Sequence, residues 1–94
     1  MLVQRKEAGN SGMFYAENQG KLEAEMTYHM DSPGKMVIEH TEVGESLRGH
    51  HVGVQLVQAA VEYARQQNLK IIVWCPFAKK VFDKNPDWHD VLDR

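Results

Sequence analysis

The sequence predicts an α+β (α/β) domain. Its mixed sheet begins as an N-terminal antiparallel meander and continues as a β-α-β crossover and a C-terminal helix. Three observations carry this expectation. Leu22, Ala24, Met26, Tyr28 and Met30 alternate with Glu23, Glu25, Thr27 and His29, the period of two that marks a strand with one buried face. Val52, Leu56, Val57, Ala60, Val61 and Ala64 recur at helical spacing, with Gln55, Gln58, Glu62, Arg65 and Gln66 on the opposite side. Lys70-Ile-Ile-Val-Trp-Cys75 then follows as an unbroken, β-branched apolar run.

The first strand assigned is 12–18 (GMFYAEN), closed by the turn signal Gln19-Gly20. The alternating strand 21–30 comes next, and Asp31-Ser-Pro-Gly34 supplies Asp, Pro and Gly in turn order. In strand 35–43, simple alternation places Met36, Ile38, His40 and Glu42 on one face and Val37, Glu39, Thr41 and Val43 on the other. Tight turns between these three strands predict the meander. The amphipathic helix spans 52–67 and stops near Gln67-Asn68. The apolar run 70–75 reads as a central strand covered on both faces, joined to 35–43 by a right-handed crossover. Pro76 suits the first turn of a helix reaching about Lys84, and Asn85-Pro86 ends it. Trp88, Val91 and Leu92 are expected to pack down in a short final turn.

The 94 residues amount to one domain, 1–94, with 43% hydrophobic and 26% charged residues, an ordinary balance for a water-soluble globule. A net charge of −2 argues against nucleic acid as a partner, since such surfaces concentrate basic charge. Lys79, Lys80 and Lys84 fit the solvated face of a short helix. No apolar run approaches the roughly 20 residues that span a bilayer, and the N-terminal residues lack the apolar centre of a signal peptide. The lone Cys75 excludes an internal disulfide framework and suits a reducing compartment, so a cytoplasmic location is expected.

Chemistry concentrates in Arg48-Gly-His-His-Val-Gly53, between a strand and the best helix. The first N–H groups of a helix have no intrahelical acceptor and lie at its positive end, which favours an anion. Gly49 and Gly53 permit a sharp turn and close approach, and Arg48 offers a charged fork to phosphate. Two other readings stand beside this one: a purely structural turn, and a metal site on His50 and His51. No metal is expected, because no HExxH or Cys/His spacing exists and adjacent histidines rarely converge on one ion. His40 fits two descriptions, a hydrogen-bonded core histidine or a general base that exchanges protons near neutrality. Cys75 is either a small buried hydrophobe or a thiol made reactive by the start of a helix.

The order and spacing of these residues resemble the GNAT (N-acetyltransferase) superfamily, whose acetyl-CoA motif reads Gln/Arg-x-x-Gly-x-Gly/Ala after a strand. Arg48 and Gly53 match its ends, and His51 stands where glycine is usual. His40-Thr-Glu-Val43, Arg48–Gly53, Cys75-Pro-Phe77 and Pro86 together resemble a short branch of that superfamily over residues 36–92. The resemblance implies an acetyl-CoA-dependent N-acetyltransferase with coenzyme A as cosubstrate. The CoA pyrophosphate would lie on backbone N–H groups of the turn, with Arg48, Gly49, His50, His51, Val52, Gly53 and Val54 as the binding set. The pantetheine arm would run along strand 35–43 to Val43, and the thioester would reach the splayed edge between that strand and 70–75. Cys75 resembles a position beside the thioester, where it acts as general acid to the leaving thiolate or as transient acyl acceptor. The helix pair and last two strands that usually shape the acceptor pocket are missing from the pattern, as is the usual tyrosine acid. The acceptor is accordingly an amine of unspecified kind (small molecule, peptide or protein), and the chain a monomer or weak dimer. A non-catalytic acyl-CoA-binding sensor is the alternative.

Overall fold

The alternating residues of the meander build the middle of a five-stranded sheet in the computed structural model, which describes residues 2–93. The strands are β1 (Gln4–Ala8), β2 (Ser11–Asn18), β3 (Lys21–Ser32), β4 (Lys35–Val43) and β5 (Lys70–Val73), and they lie in sequence order. Neighbours are antiparallel from β1 to β4, and β4 and β5 are parallel. Helix α1 (Val52–Gln67) connects β4 to β5, and α2 (Pro76–Lys84) follows. The fold class matches the expectation. Single-turn or short 3₁₀ segments occupy Glu45–Leu47 and Pro86–Val91.

Helix α1 buries Val52, Leu56, Val57, Ala60, Val61 and Ala64. They share one core with Phe14, Ala16, Ala24, Met26, Tyr28, Met36 and Ile38 of the sheet. Burying each large aliphatic side chain stabilises by roughly 1.5–3 kcal/mol. Ala78, Val81 and Phe82 of α2 join the same core, so both helices lie on one face of the sheet. Among the described residues no helix covers the other face.

Two expectations about strands are corrected. β5 is an edge strand, not a central one, and ends at Val73. Ile71 is buried beneath the helices, whereas Ile72 is half-buried and Trp74 is 64% exposed on the uncovered face. The unbroken apolar run therefore does not report burial on both sides. β1 was not assigned at all, because QRKEA lacks an apolar alternation. Its polar side chains serve a buried phenol: Arg5 Nη1 donates to Tyr28 Oη at 2.9 Å, and Tyr28 Oη donates to Glu7 Oε2 at 2.9 Å. The Arg5 guanidinium also stacks 4.1 Å above the Tyr63 ring of α1. Burial pushes the Tyr28 hydroxyl above its ordinary range, as loss of water disfavours the phenolate.

Asn68 closes α1 in the left-handed conformation (φ 57°, ψ 47°), with its N–H on the Ala64 carbonyl, a common helix ending. The C-terminal turn then packs as expected, with Val91 buried and Trp88 and Leu92 against the core. Arg65 of α1 grips it, donating to Asp90 through Nη2 at 2.7 Å and Nε at 3.1 Å. That fork holds the Asp90 carboxyl below its usual range. The folded value is depressed, so the contribution is present above the ordinary carboxylate range and is lost as pH falls through the folded value. Both groups are exposed and screened by salt. Arg65→Ala should therefore speed amide exchange at Leu92 and Asp93 while changing global stability little. Hydrogen exchange near neutral pH checks this, and strong acid should reproduce the effect in the unmutated chain.

Candidate functional site

The sheet opens between its two parallel strands. β4 and β5 pair only over residues 35–38 and 70–73, and the last bond between them is Trp74 N–H to the Ile38 carbonyl at 2.9 Å. Beyond it, β4 continues along β3 while the other chain turns into α2. A bulge sits at this point: Tyr28 pairs with Ile38 but Thr27 pairs with His40, leaving Glu39 as the extra residue. A bulge reverses the alternation that follows it. Thr41 and Val43 thus share the helix-covered face with Ile38, and His40 moves to the uncovered face. His40 is exposed and not on the face of Met36 and Ile38, which corrects the alternation read from sequence.

Cys75 lies across the opening from Thr41, with Sγ and Oγ1 3.5 Å apart. It is buried, caps the N-terminus of α2, and its Sγ accepts the Ala78 N–H at 3.5 Å. The thiol therefore faces the interior of the opening, while His40 stands on the far side of the sheet beside Thr27. Thr27 Oγ1 is a buried hydroxyl with no hydrogen-bond partner among the described residues.

The turn before α1 is built from an anchor and two left-handed residues. Leu47 is buried and fixes the 3₁₀ turn. Gly49 (φ 84°) reverses the chain, and His51 (φ 57°) caps α1. The first bond into the helix is Gln55 N–H to the His51 carbonyl at 3.1 Å. The N–H groups of Val52, Gly53 and Val54 therefore lack a helical acceptor. They border a cleft of about 270 Å³ that runs from Val43 past Leu47, Arg48, Gly49 and His51–Val54 to Phe77. Of the turn residues singled out by sequence, only His50 lies outside the cleft lining; it is exposed. Gly53 has a packing role that the sequence did not reveal. A Cβ there would come within 2.5 Å of the Phe77 ring, so its absence lets α2 dock against the start of α1. His51 fills a left-handed position that glycine adopts without steric cost, which explains why glycine is usual there.

A larger hollow of about 520 Å³ lies at the other end of the sheet, between the β1–β2 and β3–β4 turns and the end of α1. It has no helix N-terminus and none of the site residues singled out by sequence, so the smaller cleft is the better candidate. Among the described residues no three His, Cys, Asp or Glu side chains converge. Phe77, Leu47 and Thr41 were not singled out by sequence. Phe77 carried a usable signal, its place in Cys75-Pro-Phe77; the other two had none.

A parallel strand pair that parts beside a helix N-terminus, within an otherwise antiparallel sheet, is the arrangement that the resemblance to the GNAT superfamily implies. The chain superposes on a GNAT-family acetyltransferase from Elizabethkingia anophelis, solved with acetyl-CoA bound, with TM-score 0.59 at 14% identity, over 68% of this chain and 42% of the other. That likeness is one of fold. A family model described as GCN5-related N-acetyl-transferase matches residues 13–91, and the chain belongs to that family. It is similar to a GCN5-like protein from Staphylococcus aureus, solved by NMR, at 37% identity and TM-score 0.72, covering 96% of this chain and 87% of that one. Protein NATD1 of Danio rerio is 33% identical over 49 residues, or 52% of this chain. The match spans 44% of NATD1.

The strain at His51 is testable by denaturation. His51→Gly should hold or raise the melting temperature, whereas His51→Val should cost about 1–2 kcal/mol.

Proposed function

We propose that the cleft before α1 holds acetyl-CoA and that the chain transfers its acetyl group to an amine. The observation that carries this reading is the row of unpaired N–H groups at Val52–Val54, placed beside the opening between β4 and β5. The CoA pyrophosphate lies on those groups with Arg48 at its edge. The pantetheine arm follows β4 past Val43 and brings the thioester to Thr41 and Cys75. Backbone N–H groups of β4 beyond Ile38, which no longer pair with β5, stabilise the oxyanion of the tetrahedral intermediate.

His40 and Cys75 act from opposite faces of the opening. The amine enters the opening from the uncovered face and attacks in its neutral form, and His40 accepts its proton as the C–N bond forms. The C–S bond then breaks, and the departing thiolate takes a proton from Cys75, which solvent restores. Burial of Cys75 and its bond from Ala78 favour this proton-donor role over an acyl-cysteine, which needs room for the acetyl group. The chain fits the short branch marked by Cys75-Pro-Phe77. A second reading, a non-catalytic acyl-CoA sensor, draws on the openness of the acceptor face.

Calorimetry with acetyl-CoA and an assay of thiol release across a panel of amines separate these readings. Gly53→Val displaces Phe77 and should weaken acetyl-CoA binding by roughly tenfold or more with α1 intact by circular dichroism. Equal affinity would remove the turn from the site. His40→Gln should lower kcat by about 10²–10⁴-fold at unchanged acetyl-CoA affinity. Mass spectrometry after incubation with acetyl-CoA should find no acetyl on Cys75. Tight binding with no thiol release, unaltered by Cys75→Ala, would establish the sensor.

A further inference from the structure

The uncovered face carries a construction at the mouth of the opening that the turn and Cys75 do not explain. Trp74 makes the last backbone bond to β4, and it is 64% exposed just past the end of β5. The His29 ring meets it edge-on, with centroids 5.3 Å apart. His29 Nδ1 lies 2.7 Å from Glu39 Oε2, and Glu39 is the extra residue of the bulge. The side chains of the pair remain 26% and 35% exposed. An exposed indole is costly to keep in water, and here its ring rests against a histidine held in a hydrogen-bonded pair.

Carboxylates gather on this face near the opening, while Lys6 of β1 reaches over the Tyr15 ring of β2 on the same face. Glu25 and Glu42 are direct cross-strand partners, and like charges so placed repel. Glu39 adds a third carboxylate. Thr27 Oγ1, the buried hydroxyl without a partner, lies on the strand position opposite His40. An indole face beside carboxylates attracts an ammonium group through cation–π and ionic terms, and it offers an apolar wall to a methylene stem.

We propose that Trp74, braced by His29 and Glu39, is the acceptor-side wall of the site. The acceptor it selects is a primary ammonium on an unbranched aliphatic stem, as in a lysine side chain, presented from the uncovered face. The stem lies along the indole, and the ammonium meets Glu39 before entering the opening. It sheds one proton to solvent to become the nucleophile, and His40 takes the second as the C–N bond forms. Trp74 and Glu39 touch the acceptor; His29 positions both and touches neither reacting atom. This inference rests on the acetyl-transfer reading above and specifies its acceptor.

The test is steady-state transfer from acetyl-CoA to Nα-acetyl-lysine amide, compared with the α-amine of a lysine-free alanine peptide, alongside the acetyl-CoA Kd for every variant. The lysine amide should be the better acceptor. Trp74→Ala should raise its KM about tenfold or more, and Trp74→Phe should restore most of that loss. Glu39→Gln should raise KM in the same direction, and His29→Ala should do so without a comparable fall in kcat. Acetyl-CoA Kd and the melting temperature should stay at their wild-type values in each. An unchanged KM in Trp74→Ala, preference for the α-amine, or acetyl-CoA binding without transfer to the lysine amide would overturn the inference and leave the CoA site standing. Failure to bind acetyl-CoA at all would overturn the acetyl-transfer reading itself, and this inference with it.

Discussion

The parting of β4 from β5 after the Ile38–Trp74 bond is the constraint on which the site depends. Two local features separate the strands there. The bulge at Glu39 bends β4 and reverses its faces, and Cys75-Pro76 turns the other chain into α2 before it can pair further. The separation leaves backbone groups of β4 unpaired at a place where the helix core still holds both strands. Unpaired backbone is costly in a dry interior, so an opening of this kind persists only where water or a ligand can reach it.

Around that opening the core fixes three things at once. Packing of α1 on the sheet sets where its free N–H groups point. The absence of a Cβ at Gly53 lets Phe77 sit on the start of α1, tying the turn to α2. Cys75 caps α2 and faces Thr41 across the gap. The turn before α1, the thiol and the wall of the cleft are thus parts of one packing arrangement. A change at Phe77 is felt at the turn although the two are far apart in sequence.

Much of this was legible from residue patterns. Strict alternation in β3, helical spacing in α1 and the Pro76 start of α2 each follow from one side-chain period or one backbone restriction, and each was read correctly. β1 was invisible because its side chains are there to satisfy Tyr28 and stack on Tyr63, and polar partners leave no hydrophobic period. The edge position of β5 was hidden because a half-buried Ile72 and an exposed Trp74 look in sequence like the second face of a central strand. His40 was misplaced for a physical reason. A single extra residue shifts every later side chain to the other face, and no composition signal marks Glu39 as that residue. The turn itself was found by its glycines and its place between strand and helix. The work of Gly53 was not, since its neighbour Phe77 comes from another helix.

The most direct test of the central claim is an NMR titration of the ¹⁵N-labelled protein with acetyl-CoA. Bound acetyl-CoA should shift the amides of Val52, Gly53 and Val54 together with those of Thr41–Val43, along the path from the turn to the opening. Shifts confined to Gly9, Asn10 and Asp31–Ser32, around the larger hollow at the other end of the sheet, would contradict it.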